Sequence, residues 1–160
     1  MDTFRWSRAS LSLKLTVTVY LVTVSLAYIM GMVNVYNTTG LTHTGIVTRY
    51  RGNEAAAIAP MSLQELVQTT HVHMFGIALV LLTISLAFAL TQLPERVKAC
   101  FIVLPFVCLV VDFLSQWLLV YRSHQFAYVT SASGLLLAVS FALLIGRPLY
   151  EMWMPSRPGK

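Results

Sequence analysis

Charged residues are scarce in this sequence. Only 11% of its 160 residues are Asp, Glu, Lys or Arg, whereas 57% are hydrophobic. A soluble domain carries about 25% charged residues, so these few charges could not cover a water-facing surface of this size. Lipid instead requires an apolar exterior. The composition therefore predicts an integral membrane protein with a single domain, residues 1–160.

Cysteine is nearly absent as well. Cys100 and Cys108 are the only two, and they lie in one apolar run. On a helix their spacing is about 12 Å, which is too far for a disulfide between them. The chain has no C-x-x-C pair and no zinc-ligand spacing. Both cysteines are therefore predicted to be packing residues.

Several functional motifs are missing too. The chain has no P-loop, no G-x-G-x-x-G turn, no nucleophile elbow and no C-x-x-C-H haem-attachment site. Its basic residues are scattered, which argues against binding to nucleic acid. The sequence predicts no particular reaction, so an enzymatic role stays open.

Four long apolar runs are present, at residues 15–35, 72–93, 101–121 and 126–145. Each approaches the ~20 residues that cross ~30 Å of hydrocarbon as a helix. The first is longer than the ~7–15 residues of a signal-peptide core, which predicts a retained helix. Gly146-Arg147-Pro148 is predicted to end the fourth. Short connections between the later runs predict an all-α, up-down-up-down four-helix membrane bundle.

The basic residues predict the orientation of the bundle. With the N-terminus in the cytoplasm, three of the 11 Lys and Arg residues lie outside, namely Arg49, Arg51 and Arg122. The others lie inside: Arg5, Arg8, Lys14, Arg96, Lys98, Arg147, Arg157 and Lys160. By the positive-inside rule, both termini are predicted to be cytoplasmic.

The connection at residues 36–70 is the long outer loop. Ser62 and Glu65 match a capping box, and Met61 with Leu66 matches a hydrophobic staple. This pattern predicts a helix that begins near Ser62 and runs into the second span. The preceding residues, 36–60, are predicted to be irregular.

All four histidines, His43, His71, His73 and His124, fall on the predicted outer side. Imidazole is the commonest metal and haem ligand, and the thioether of Met74 suits copper(I). We therefore predict an outer-leaflet histidine cluster that binds haem b or copper.

His71 and His73 lie ~200° apart on a helix, so only one of them can face the bundle. His73 shares a stripe of small residues with Gly76 and is the better candidate, but the face of His71, with Ala78 and Ser85, is not clearly worse, so both stay open. The alternative is that the histidines lie among lipid headgroups.

Asp112 is predicted to lie within the bilayer, about 13 Å below the outer interface if counted from Tyr121. An intramembrane carboxyl is a functional candidate by default. No Lys or Arg lies at that depth, so Asp112 is predicted to be protonated or hydrogen-bonded, with Gln116 one turn above it. A proton relay and a polar clamp between helices are both open.

Arg49 and Arg51 lie in the outer loop, in the segment T-R-Y-R-G-N-E. Their guanidinium groups are candidates to pair with a haem propionate or to dock a partner. The alternative is a solvated turn.

Four stretches carry a resemblance to a known group of proteins. They are T-R-Y-R-G-N-E (48–54), T-H-V-H-M-F (70–75), V-D-F-L-S-Q-W-L-L-V-Y (111–121) and R-P-L-Y-E-M-W (147–153). With them the chain resembles a group of small inner-membrane proteins of Gram-negative bacteria, which have four spans and an outer loop in the same place. The resemblance implies fold and location and transfers no catalytic residue.

Together these features predict a small inner-membrane subunit of a respiratory, electron-transfer or metal-handling system. It would contact lipid and either other membrane subunits or copies of itself. The alternative is a structural or assembly subunit without a cofactor.

Overall fold

The chain is all-α over residues 4–154, which are the residues that this computed structural model describes. Its five α-helices are α1 (Leu11–Thr39), α2 (His43–Arg51), α3 (Leu63–Ala89), α4 (Glu95–Tyr121) and α5 (Phe126–Trp153). All except α2 are long and apolar enough to cross a membrane, which confirms the predicted four-span helical fold. Arg157 and Lys160, which entered the orientation argument, lie outside the described residues.

Helices α3, α4 and α5 form the packed core of the bundle. The contact between α4 and α5 is the most extensive, and α3 packs against both. Since lipid supplies no hydrophobic drive between helices, close packing of large side chains holds this core together. Its buried residues include Leu81, Ile84, Phe88, Cys108, Leu109, Phe113, Leu137, Phe141 and Leu144.

Helix α1 lies at the periphery. Only Leu21 and Thr39 of its 29 residues are buried. Its contacts lie in the half nearer the N-terminus, where Trp153 Nε1 donates to Thr18 Oγ1 at 2.9 Å. The last of these is Tyr28, which stacks on Phe141 with ring centroids 4.4 Å apart. Residues 29–38 are all exposed, so the second half of α1 stands apart from the core.

The prediction that residues 36–60 are irregular is wrong for the first half of this stretch. Helix α1 continues to Thr39, and α2 follows after a corner of three residues. Thr42 caps α2 by accepting a hydrogen bond from Gly45 N at 3.0 Å. A nine-residue helix is marginal by itself, and packing stabilises it. Here Ile46 is buried in a cluster with Leu119 of α4 and Ala127 of α5.

The start of α3 confirms the capping box. Glu65 N donates to Ser62 Oγ at 3.2 Å, and Ser62 N donates to Glu65 Oε2 at 2.8 Å. Met61 and Leu66 are both buried, as a hydrophobic staple requires. The helix ends at Ala89, four residues before the predicted limit at residue 93.

The predicted stop at Gly146-Arg147-Pro148 is wrong. Helix α5 continues through Pro148 to Trp153, and Pro105 lies inside α4 in the same way. A proline removes one backbone hydrogen bond, which membrane helices tolerate when neighbouring groups compensate. Beside Pro148, Arg147 Nη2 pairs with Glu151 Oε1 at 2.8 Å, one turn further along α5.

A short 3₁₀ helix, Trp6–Arg8, closes the end of the bundle where the termini lie, here called the terminal end. Trp6 is only 2% exposed, and its Nε1 donates to Ala87 O at 3.1 Å. Gln92 N donates to both oxygens of Glu151, at 3.1 and 3.0 Å. The opposite end, which α2 covers, is called the α2 end below. The terminal end is therefore held by several hydrogen bonds between distant parts of the chain, whereas residues 29–38 of α1 remain exposed.

Candidate functional site

Two of the four histidines meet at the α2 end. His43 opens α2, and His124 lies in the hairpin between α4 and α5. Their ring centroids are 5.9 Å apart, with the planes nearly perpendicular. Tyr128 stacks on His43 at 4.4 Å and fixes the orientation of its ring. His43 Nε2 is buried without a hydrogen-bond partner, whereas His124 is exposed.

The other two histidines lie on α3, away from this pair. His71 and His73 are both exposed, and His73 Nδ1 is 3.1 Å from Thr69 O. The predicted inward stripe of His73 and Gly76 does not face the core, because the large residues of α3 occupy that face. Met74 packs against the core rather than beside His71. The structure therefore brings together His43 and His124 and leaves the other predicted ligands apart.

Arg49 and Arg51 are exposed in the last turn of α2. Neither pairs with a carboxylate among residues 4–154. Cations at a helix C-terminus are favoured by the helix dipole, which gives both side chains a local role in stabilising α2.

Over the described range 4–154, no three His, Cys, Asp or Glu residues are close enough together to hold a metal ion. The arrangement at the α2 end is thus a two-histidine pair. Two pockets, of about 320 and 270 Å³, lie at the terminal end. Phe4, Gln92 and Lys98 are among the lining residues of the first, and Arg5 and Glu151 are among those of the second.

Asp112 is held between α4 and α5 by hydrogen bonds to both of its carboxyl oxygens. Gln116 Nε2 donates to Oδ2 at 2.8 Å, and Ser133 Oγ donates to Oδ1 at 3.0 Å. Ser115 Oγ donates to the backbone oxygen of Asp112 at 2.7 Å and lies 2.7 Å from Thr130 Oγ1. Gln116 Oε1 is buried and has no partner. The sequence predicted the hydrogen-bonded state of Asp112 and the proximity of Gln116.

The titratable neighbours of Asp112 come from three helices. Its charge reaches Tyr28 of α1, Tyr50 of α2 and Cys108 of α4. Within residues 4–154 no lysine or arginine pairs with it. Helix α2 thus carries both His43 of the histidine pair and Tyr50, on which the charge of Asp112 acts; the two residues lie two turns apart.

Tyr50 gives this region a measurable pH dependence. Burial, and then the negative charge of Asp112, raises the pKa of Tyr50 from 10.0 to about 12. The folded protein therefore holds this proton more tightly than the unfolded chain. We expect stability to fall as pH rises from 10 towards 12, and Tyr50→Phe to remove this part of the loss. Tyrosinate absorbance and unfolding are followed together over that pH range. If the wild type and Tyr50→Phe lose the same amount of stability between pH 10 and 12, the prediction is wrong.

Sequence reasoning missed the residues that orient the two sites. No role was predicted for Tyr128, which stacks on His43, or for Tyr28 and Tyr50 near Asp112. The apolar spacing of Ile46, Val47 and Tyr50 is a helical signal that could have identified the inner face of α2.

The chain matches the model of a protein family described as a transmembrane helical domain over residues 40–159. The chain belongs to that family. The transmembrane helical domain covers α2 to α5 and leaves out α1, which has the fewest buried residues of the four long helices. No curated protein and no solved structure matches the chain.

Proposed function

We propose that the protein is a small subunit of a metal-handling system of the bacterial inner membrane, which binds copper(I) between His43 and His124. The observation that carries the proposal is the buried His43 Nε2, which has no hydrogen-bond partner among residues 4–154 although a second imidazole lies beside it. A buried polar atom without a partner costs roughly 1–3 kcal/mol, which a bound ion would offset.

The spacing suits a shared ion. Two imidazoles that bind one metal through bonds of about 2 Å place their ring centroids about 6 Å apart, close to the 5.9 Å here. In the present arrangement the edge of one ring meets the face of the other. Because His124 is exposed, its ring can turn a nitrogen towards His43, and the ion can reach the pair from the surface.

The number of ligands favours copper(I) over zinc and over haem. Zinc takes four ligands, whereas the pair supplies two. Two-coordinate binding is acceptable to copper(I). A porphyrin between the imidazoles would spread sideways into the contacts that Ile46 makes with Leu119 and Ala127. The residues present therefore fit haem b poorly.

The test is a copper(I) titration of the purified protein, under a reductant and against a chromophoric chelator. We expect one copper per chain, and at least a tenfold loss of affinity, about 1.4 kcal/mol, in His43→Ala and in His124→Ala. His71→Ala is the matched control, an exposed histidine away from the pair, and should bind as the wild type does. Equal binding by all four proteins, or none by the wild type, would refute the proposal. A Soret band that shifts on reduction would instead indicate haem.

A second candidate is a structural or assembly subunit without a cofactor. It is favoured by α1, in which only two residues are buried and residues 29–38 are all exposed, so that this helix offers a surface to a partner membrane protein or to a second copy. Cysteine crosslinking along residues 29–38 in intact membranes tests it. Crosslinks to another chain, together with metal-free protein, would support this candidate over the first.

A further inference from the structure

Asp112 lies deep in the membrane-spanning part of the bundle. Nine residues of helix, about 13 Å, separate it from Tyr121 at the α2 end of α4. A charge at such depth is expensive, and it is normally offset by an opposite charge or removed by protonation. The groups that face Asp112 are Tyr28, Tyr50 and Cys108, together with hydroxyls of α5. None of these supplies a positive charge.

The partners of Asp112 can serve either protonation state. Gln116 donates from Nε2 to the carboxylate, while its Oε1 is buried and unused. Half a turn of the amide exchanges the two atoms, so Oε1 then accepts a hydrogen bond from a protonated carboxyl. The environment therefore contains an acceptor that only the protonated state would use.

Ser133 has the same double capacity. Its single hydroxyl proton has three acceptors within reach: Asp112 Oδ1 at 3.0 Å, Val129 O at 2.8 Å and Thr130 O at 3.1 Å. When Asp112 is ionised, the hydroxyl donates to it. When Asp112 is protonated, the hydroxyl can donate to Val129 O and accept from the carboxyl. Neither state leaves the serine without a bond.

We propose that Asp112 is a reversible proton-binding site within the membrane. Because a carboxyl carries one proton, either Gln116 or Ser133 changes from donor to acceptor when the proton arrives, and changes back when it leaves. The proton adds to a carboxylate oxygen and returns to water, with no other bond made or broken. This inference is independent of copper binding at His43 and His124.

The test is infrared difference spectroscopy of the metal-free protein in lipid nanodiscs, between acidic and alkaline buffer. The exposed carboxyls also protonate on acidification, so the expected signal is one component of the carboxylic-acid C=O absorption, which shifts in D₂O and is missing from Asp112→Asn. Glu54→Gln, at an exposed carboxyl, should retain that component. Gln116→Leu should retain the band at a shifted frequency, because the carboxyl loses one partner.

Two results would overturn the proposal. One is identical acid-minus-alkaline spectra for the wild type and Asp112→Asn, and the other is loss of the same component in Glu54→Gln. If Asp112→Asn does not fold, Gln116→Leu decides alone, since an unshifted band would mean that the titrating carboxyl is not Asp112.

Discussion

Replacement of Gly45 with alanine is expected to detach α2 from the bundle. An added Cβ would lie 1.8 Å from the backbone oxygen of Thr39 and 2.6 Å from its carbonyl carbon, so backbone must move. The corner has little room to adjust, because Gly40 and Leu41 already have left-handed φ values of 58° and 54°. We expect a cost of about 3 kcal/mol, at the upper end for overpacked sites. Hydrogen exchange of residues 43–51 measures it.

Gly76→Ala is the matched control for this prediction. Gly76 also lies in a helix, but nothing lies within 4 Å of its added Cβ. Alanine there should be neutral or stabilising by up to about 1 kcal/mol, through helix propensity. If residues 43–51 exchange hydrogen at the same rate in Gly45→Ala and Gly76→Ala, the close approach of Gly45 to Thr39 does not stabilise the corner. In the expected case Gly45→Ala also moves His43 away from His124 and weakens copper binding.

Trp6→Ala is expected to be the most damaging substitution at the terminal end. The Trp6 ring is 2% exposed and bonds to Ala87 O, which would lose its partner. Truncation of a buried tryptophan typically costs about 3–5 kcal/mol. The measurement is made in a Cys100→Ser background, where buried Cys108 is the remaining thiol and reacts with a thiol reagent when the bundle unfolds. Trp6→Ala should lower the temperature at which Cys108 becomes reactive.

The control for Trp6 is Trp153→Ala at the same end of the molecule. Trp153 is 48% exposed and donates one hydrogen bond, to Thr18. Its loss should cost about 1 kcal/mol, the net worth of that bond. Similar destabilisation by the two alanine variants would mean that the 3₁₀ helix Trp6–Arg8 does not hold the terminal end together.

The parts of the fold that follow from local chemistry were predictable. Four spans follow from length and apolarity, and the start of α3 follows from Ser62 and Glu65. The i, i+4 spacing of Asp112 and Gln116 likewise places both on one helix face. These features depend on residues close in the chain.

The remaining features depend on contacts between distant parts of the chain. Helix α2 is stable because Ile46 is buried against Leu119 and Ala127, which its own composition does not reveal. His73 was expected to face inward on the strength of small neighbours. The face of α3 that packs inward is instead the one that carries Leu81 and Phe88, because these side chains pack against α4 and α5.

The one-sided attachment of α1 makes it responsive to bilayer thickness. Its 29 residues span about 43 Å, well beyond a hydrocarbon layer of about 30 Å. A helix longer than the bilayer accommodates the difference by tilting, and α1 can do so because only its first half is tied to α5. Since Gly40 to Thr42 join α1 directly to α2, a change of tilt displaces α2. Lipid composition therefore acts on His43 and Tyr50, which move with α2.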